Sequence, residues 1–341
     1  MVNNLDALEG DFIESKDSLI FDVKGLIHPP NKVIAFLRYV PSSSGDRIRN
    51  NIKFMKLYLL HDRFNFLRSH YPQYLYYDPI FNIELQAVPK TLIKKHYKPR
   101  ERLSQMVKEK EALDEVELSA LQLAEELSSI SDLSLNNFGI SGSILVKLHK
   151  PNSDIDLIVY GSKNCIKFYN SIKENINRLK RIKKYDIEGL IKLYKFRVKD
   201  THLPLKTFIK IESRKVLQGR FMNKDYYIRL IKDLNELNEH YGDSIYMSIG
   251  RARIKAKVID DSNSIFSPCR YIIDDVSILS GVNVPISEIF SFRGRFCECA
   301  FKNEIIIAEG KVEKVLRKDG STYYRLILGE NPMDFIVPTN I

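Results

Sequence analysis

The sequence predicts an α+β protein in three consecutive parts, and three observations carry that prediction. The first hundred residues alternate short apolar strands with a helical stretch. The middle joins a strand, a Gly-Ser turn and a carboxylate-bearing strand, and the last hundred residues are almost wholly alternating or β-branched. The expected divisions are an α+β N-terminal domain at 1–100, a mixed α/β domain at 101–240 and an all-β domain at 241–341. At 341 residues the chain exceeds one ordinary domain, and a hydrophobic content of 44% gives each part material for a core.

Within the first part, 18–27 and 32–40 read as strands joined by a turn at His28-Pro29-Pro30-Asn31. In "NIKFMKLYLLHDRFNFLRSHY", Phe54, Leu57, Leu60, Phe64 and Leu67 recur at three- and four-residue spacing, which predicts an amphipathic helix. "VPKTLIKKHYKPRERL" reads as a short basic helix and a linker, with Pro99 at the boundary. Residues 102–130 are again helical in pattern, with Leu113, Val116, Leu121, Ala124 and Leu127 on one side. Further on, "KDYYIRLIKD" reads as a strand and "LNELNEHYGD" as a short helix. In the last part "RARIKAKVID", "CRYIIDDVSIL", "IFSFRGRFCECAF", "EIIIAEGKVEKVL" and "STYYRLILGE" read as strands, with a small barrel as the expected form. Lys318-Asp319-Gly320-Ser321 is a hairpin turn, because Asp-Gly readily takes the positive φ such turns need.

A formal net charge of +10 favours an anionic partner: nucleic acid, nucleotide or an acidic membrane surface. The opening "MVNNLDALEGDF" is acidic and lacks the apolar stretch of a secretory leader, and no apolar run approaches the ~18 residues a membrane helix needs. Cys165, Cys269, Cys297 and Cys299 form no C-x-x-C pair and read as reduced thiols of a cytoplasmic protein. A cytoplasmic protein without a membrane segment is the expectation, and composition leaves the oligomeric state open.

The densest chemistry lies in "FGISGSILVKLHKPNSDIDLIVYG", residues 138–161. Side chains alternate along a strand, so Asp154 and Asp156 share a face while Ile155, Leu157 and Val159 take the core side. Carboxylates so close repel one another unless a cation lies between them. Oxygen ligands suit Mg²⁺ or Mn²⁺, which bridge carboxylates and substrate phosphates. Upstream, "FGIS" ends a short strand and "GSILVKLHK" opens a helix whose first N–H groups face the same place. Gly142 there forms a phosphate cradle, the Ser143 hydroxyl adds a donor, and Lys147 one turn on either adds a charge or faces solvent. A Gly-Ser pair alone is commonplace, and Asp-x-Asp alone is usually a solvated strand edge. The two at fixed separation in an apolar setting are the specific signal.

Gly-Ser, ten residues, then Asp-Ile-Asp in an apolar strand resembles the signature of the polymerase-β-like nucleotidyltransferase superfamily. That superfamily includes CCA-adding enzymes, poly(A) polymerases and antibiotic nucleotidyltransferases. Beyond the motif, the chain is similar to an archaeal group of predicted nucleotidyltransferases with flanking domains. The resemblance implies a mixed sheet with helices on one side and two-metal transfer of a nucleotidyl group. By it, Gly142 and Ser143 hold the triphosphate of an NTP, and Asp154 and Asp156 hold the metals. It also implies a third carboxylate from the middle of a neighbouring strand. There "KDYYIRLI" carries Arg229 instead of an acid, while Asp225 opens that strand and Glu212 closes "TFIKIE". Glu212 is the preferred third carboxylate, with Asp225, or no acid at all, as alternatives.

Between Lys163 and Lys199 stand twelve Lys/Arg and three Asp/Glu, nearly the whole formal excess of the chain. Directly after the Asp-x-Asp strand, this segment is either an electrostatic track for an RNA backbone or a solvated helix face. The histidines show no metal-ligand spacing, and His149 reads as a helix-end residue. The Tyr-rich "HYPQYLYYDPIF" suits base stacking or, better, a buried aromatic contact. The expected function is metal-dependent transfer of an NMP from an NTP to an acceptor hydroxyl, on RNA by preference. A non-catalytic nucleotide- or RNA-binding module on the same fold, or transfer to a small molecule or protein, competes with it.

Overall fold

In a computed structural model of the chain, residues 6–340 are described. The reading of no leader at the chain's opening therefore rests partly on residues 1–5, which lie outside them. The architecture is mixed α and β with several sheets, divided into two compact units. One takes the chain up to Asp78, Ile83–Ile182 and Gly219–Tyr241; the other takes Pro79–Asn82, Lys183–Gln218 and the chain from Gly242. Among the described residues no helix is long and apolar enough to cross a membrane.

The first unit opens with an antiparallel sheet of β1 (Phe12–Ser15), β2 (Ile20–Val23), β3 (Lys32–Pro41), β4 (Arg47–Arg49), β5 (Ile52–Lys56), β6 (Leu75–Asp78), β7 (Ile83–Pro89) and β8 (Ile93–Tyr97). The order is β4-β5-β3-β2-β1-β8, with β6 and β7 joined through β7 to β3. Alternation gives it two apolar faces. Ile13, Phe21, Val23, Ala35 and Leu37 pack with Leu67 of α1 (Leu60–His70), whereas Phe12, Ile20, Tyr39 and Phe54 pack onto Leu145, Val146 and Leu148.

Two local expectations change here. Phe54 lies in β5 rather than in the amphipathic helix, which starts only at Leu60. The basic stretch before Pro99 is β8, because pairing with β1 (Ile13↔His96) satisfies its backbone, whereas five residues are too few to sustain a helix. The helical stretch after Pro99 is two helices, α2 (Pro99–Lys108) and α3 (Glu115–Ser131). The break is made by Asp114, whose carboxylate accepts from the N–H groups of Val116 and Glu117, both at 2.9 Å.

A second sheet follows, of β9 (Phe138–Ile140), β10 (Ile155–Tyr160), β11 (Ile182–Lys183), β12 (Gln218–Phe221) and β13 (Lys224–Ile231), in the order β11-β12-β13-β10-β9. Central β10 runs antiparallel to β9 and parallel to β13. Between β9 and β10 lies the one-turn helix α4 (Gly142–Leu145), and after β10 comes α5 (Ser162–Asn175), whose Cys165, Phe168, Tyr169 and Ile172 are buried. The chain's opening segment covers the other side. Ile158 packs with Leu8 and Leu26, and a Cβ on Gly10 would lie 2.4 Å from the Ile158 Cδ1. Both faces of β10 are therefore buried.

The second unit contains α6 (Ile187–Arg197), α7 (Leu205–Glu212) and six strands: β14 (Ser244–Asp260), β15 (Cys269–Gly281), β16 (Ile286–Ser291), β17 (Ile305–Arg317), β18 (Thr322–Ile327) and β19 (Phe335–Pro338). The ladder β14-β15-β16-β18-β17 closes on itself through thirteen β14–β17 pairs, so five strands form a barrel, with β19 added along β17. β16 and β18 are parallel, and the other ladders of the ring are antiparallel. Ala252, Ile254, Ala256 and Val258 of β14 point inward with Tyr271, Ile273, Ile289, Val312 and Leu326, and Arg251, Arg253, Lys255 and Lys257 point out.

The run "IFSFRGRFCECAF" is not one strand. β16 stops at Ser291, a 3₁₀ turn follows, and Phe296, Cys297 and Cys299 join the barrel core from the connection. The four cysteines are free and buried.

The Tyr271 hydroxyl bonds this connection to the barrel, donating to the Phe296 carbonyl at 2.6 Å and accepting from the Cys299 N–H at 3.0 Å. Tyr271→Phe leaves two buried backbone groups unpaired, so denaturant unfolding should register a loss of about 1–3 kcal/mol.

Candidate functional site

β9 delivers the chain into the Gly142–Ser143 turn beside β10. Leu157 pairs with Ile140, and the Ser141 N–H donates to the Asp156 carbonyl at 2.8 Å. Gly142 has φ +64°, and a Cβ there would lie 2.0 Å from the Asp156 Oδ2. Any larger residue would be strained in backbone and would collide with the carboxylate. The turn itself is fixed by Ser141, whose hydroxyl donates to the Gly10 carbonyl at 2.6 Å.

The helix expected after the turn is shorter than its sequence suggests. α4 is a single buried turn, stopped where Lys147 takes φ +54°, so no extended helix dipole faces Asp156. Ser143 is buried and Lys147 is exposed.

Asp154 is exposed at the foot of β10, and the Asp156 side chain is 20% exposed within the strand. Burial raises the Asp156 pKa, the Asp154 charge raises it further, and Arg229, Lys56 and Arg38 oppose the rise. Ladder register places Tyr227 beside Asp156 and Arg229 beside Ile158 on the same face, with an Arg229 Nη2 4.0 Å from the Asp156 Oδ1. Burial opposes the Arg229 charge, but Asp156, Asp22 and Glu9 outweigh it and hold the guanidinium firmly protonated.

The first sheet supplies the rest of this surrounding. Asp22 on β2 is buried and pairs with Lys24 at 2.9 Å. Burial raises its pKa, and the combined pull of Lys24, Arg229 and Arg38 lowers it more, for a net depression. Lys56 on β5 lies over the rings of Tyr58 and Tyr39, at 5.0 and 6.0 Å. Its pKa is lowered to about 8, chiefly by burial and then by Arg38, with the two aspartates acting in the other direction. Three carboxylates, Asp22, Asp154 and Asp156, thus share one region with the three cations Arg38, Lys56 and Arg229, so their formal charges balance.

The donor set fits one divalent cation. Asp154 and Asp156 offer oxygen ligands, and their mutual repulsion is what a cation relieves. A second cation is opposed by the Arg229 guanidinium, which holds the face where a third carboxylate was sought.

Glu212 does not close a strand as its sequence suggests. "TFIKIE" is helical, part of α7 in the second unit, and the Glu212 carboxylate is fully engaged there. Lys215 lies 2.7 Å from Oε1, while Arg197 at 2.7 Å and the Gln218 amide share Oε2. Burial raises its pKa, but Lys215 and Arg197 overcompensate and bring it below the ordinary value. Asp225 is the acid that register favours. It stands one step before the first pair of the β10–β13 ladder, Ile155↔Tyr226, level with Asp154. The Lys163–Lys199 segment is split, since α5 belongs to the first unit and α6 to the second.

His149 joins Asp114 (2.6 Å) and Glu117 in a group with metal-ligand proximity. Asp114 is already the cap of α3 and Glu117 pairs with Arg102, so this is a helix start held by its neighbours. Of the Tyr-rich run, Tyr74 is fully buried against Phe21. Sequence reasoning missed Asp22, Arg38 and Lys56, which no local pattern ties to Asp156; only Arg229 carried a signal, its place in the alternation of β13.

Two outcomes follow. Gly142→Ala should lower stability by about 1–3 kcal/mol from the strained φ alone, and thermal melting checks it. Glu212→Gln leaves the buried Lys215 and the partly buried Arg197 without their anion and should cost about 3–5 kcal/mol at neutral pH. Because the folded Glu212 pKa is depressed, that stabilisation exists above the ordinary glutamate value of about 4.3 and is lost as pH falls through the folded value. The melting difference between native chain and variant should therefore close in acid.

Over 330 residues the chain is 33% identical to an uncharacterized protein, MJ1086, of Methanocaldococcus jannaschii, and the alignment covers 94% of each chain. No protein-family model matches the chain, and no solved structure matches it significantly. At that identity and coverage the chain belongs to the same family as the Methanocaldococcus jannaschii protein.

Proposed function

We propose that the Gly142 turn, Asp154 and Asp156 form a metal-dependent nucleotide site that transfers an NMP from an NTP to an acceptor hydroxyl, with RNA as the preferred acceptor. The observation that carries this reading is the contact of the Asp156 carboxylate with the Gly142 backbone. It sets a metal-competent acid directly against the turn expected to take the phosphates. A divalent ion held by Asp154 and Asp156 supplies charge neutralisation for the α-phosphate and the leaving group.

In this reaction the acceptor oxygen attacks the α-phosphorus, the bond to the bridging β-phosphate oxygen breaks, and pyrophosphate leaves. Ser143 orients the β- and γ-phosphates, and Lys56 and Arg38 offset their charge from the neighbouring sheet. Asp225, level with Asp154 in register, takes the place proposed earlier for Glu212 and receives the acceptor proton.

A second reading has its own observation. Arg229 stands mid-strand where catalysis of this kind calls for an acid, which favours a module that binds nucleotide without turning it over.

The test is transfer of label from each α-³²P-labelled NTP into a total cell extract, with Mg²⁺ or Mn²⁺, using the native chain and Asp154→Ala/Asp156→Ala. Label that needs both aspartates and disappears on RNase treatment is the expected result. RNase-resistant label shifts the acceptor to a protein or small molecule. Absence of label together with metal-dependent NTP binding selects the binding module, and absence of both overturns the two readings.

A further inference from the structure

The barrel of the second unit has a ring order that, counted from β14, runs first-second-third-fifth-fourth and back to first, with third and fifth parallel. That is the topology of the oligonucleotide/oligosaccharide-binding barrel, in which the outer face of the second and third strands and the first-second and fourth-fifth loops receive the ligand. Topology alone leaves the ligand class open, since one fold hosts many functions. The side chains narrow it.

On β14, Arg251, Arg253, Lys255 and Lys257 alternate with buried Ala252, Ile254, Ala256 and Val258, so all four cations leave the barrel on one face. Arg251 is engaged by Asp334 at 2.7 Å. Of the other three, Arg253 lies over the Phe335 ring at 5.4 Å, and none has a carboxylate within ion-pair distance among the described residues, although Asp274 pairs in register with Lys257 and Glu309 with Arg253. Across β15, the next strand presents Phe290 in register with Arg270, and Phe292 follows it, 39% exposed and edge-on to Phe290 at 5.0 Å. At the β17–β18 turn, Arg317 stacks over Tyr323 at 4.6 Å and Lys318 is exposed. Cations spaced two residues apart suit a phosphate backbone, and an accessible ring suits a base. A neutral oligosaccharide would leave the Lys255 and Lys257 charges without an anion.

We propose that the outer β14–β15–β16 face of this barrel binds single-stranded polynucleotide, with Arg253, Lys255 and Lys257 on the phosphates and Phe292 stacking a base. This places the polynucleotide contact on the barrel rather than on the Lys163–Lys199 segment. It is independent of the proposed transfer reaction, because neither a metal nor an NTP takes part.

The test uses the full chain and fluorescein-labelled RNA and DNA oligomers about 12 nucleotides long, single-stranded and duplex, read by anisotropy without metal or NTP. The native chain should bind single strands in preference to duplex. Arg253→Gln/Lys255→Gln/Lys257→Gln should bind at least about tenfold more weakly, with the slope of log K against log salt reduced by about 2, near 0.7 per cation lost. Phe292→Ala should weaken binding several-fold with an unchanged slope. Lys163→Gln/Lys167→Gln/Lys173→Gln should bind as the native chain does. All the substituted barrel side chains lie outside its core, so unchanged melting of these variants separates a binding loss from unfolding. The RNA and DNA arms decide which polymer is preferred. Equal binding of duplex and single strand, an unaltered triple variant, or no binding by the native chain each overturns the proposal.

Discussion

Asp156 sits on the central strand of a sheet covered on both faces, and much of the first unit is arranged around the cost of that burial. An isolated carboxylate in such a place would lose its hydration without return. Here Arg229 from the adjacent parallel strand and Lys56 and Arg38 from the neighbouring sheet supply the opposite charge, and Arg229 is itself held by Asp22 and Glu9. The compensation is incomplete, since the Asp156 pKa remains raised. The same requirement explains the company of Gly142: the carboxylate occupies the volume that any side chain there would need.

The second unit answers a different constraint. Its five-stranded sheet removes its own edges by closing, and closure demands that one side of every strand be apolar and compact. The small inward residues Ala252 and Ala256 on β14, and Gly310 on β17 where a Cβ would meet the Ile327 carbonyl at 2.4 Å, allow close approach across the ring. The connection after β16 fills one end with Phe296, Cys297 and Cys299, which is why these apolar residues are not strand residues despite their pattern. Beside the barrel, Glu212 joins α7 to Arg197, Lys215 and Gln218, a buried network whose partners come from separate turns of chain.

Legibility from sequence followed the range of the interaction. The alternation of "RARIKAKVID" identified β14 as a strand, because a period of two is a local property. The Gly-Ser turn and the Asp-x-Asp pair were legible for the same reason, lying within one strand-turn-strand unit. Short segments were misread where a partner decided the outcome. "IKKHY" became β8 by pairing with β1, and "TFIKIE" became helical with Phe208 and Ile211 buried. The length of α4 was also misjudged, because the positive φ of Lys147 ends a helix that side-chain pattern alone would continue.

The sequence by itself determined the mixed α and β character, the strand faces, the Asp319-Gly320 turn and the adjacency of Gly142 to the aspartate strand. All of these depend on bonds and side-chain directions within a few residues. Only the tertiary structure decided that Asp22, Arg38 and Lys56 surround Asp156, that Arg229 rather than an acid faces it, that Glu212 is spent on Arg197 and Lys215, and that β14 and β17 close a ring. Those outcomes join residues far apart along the chain, and they are fixed by which groups can share burial and neutralise one another's charge, a property of the packed molecule that no local pattern records.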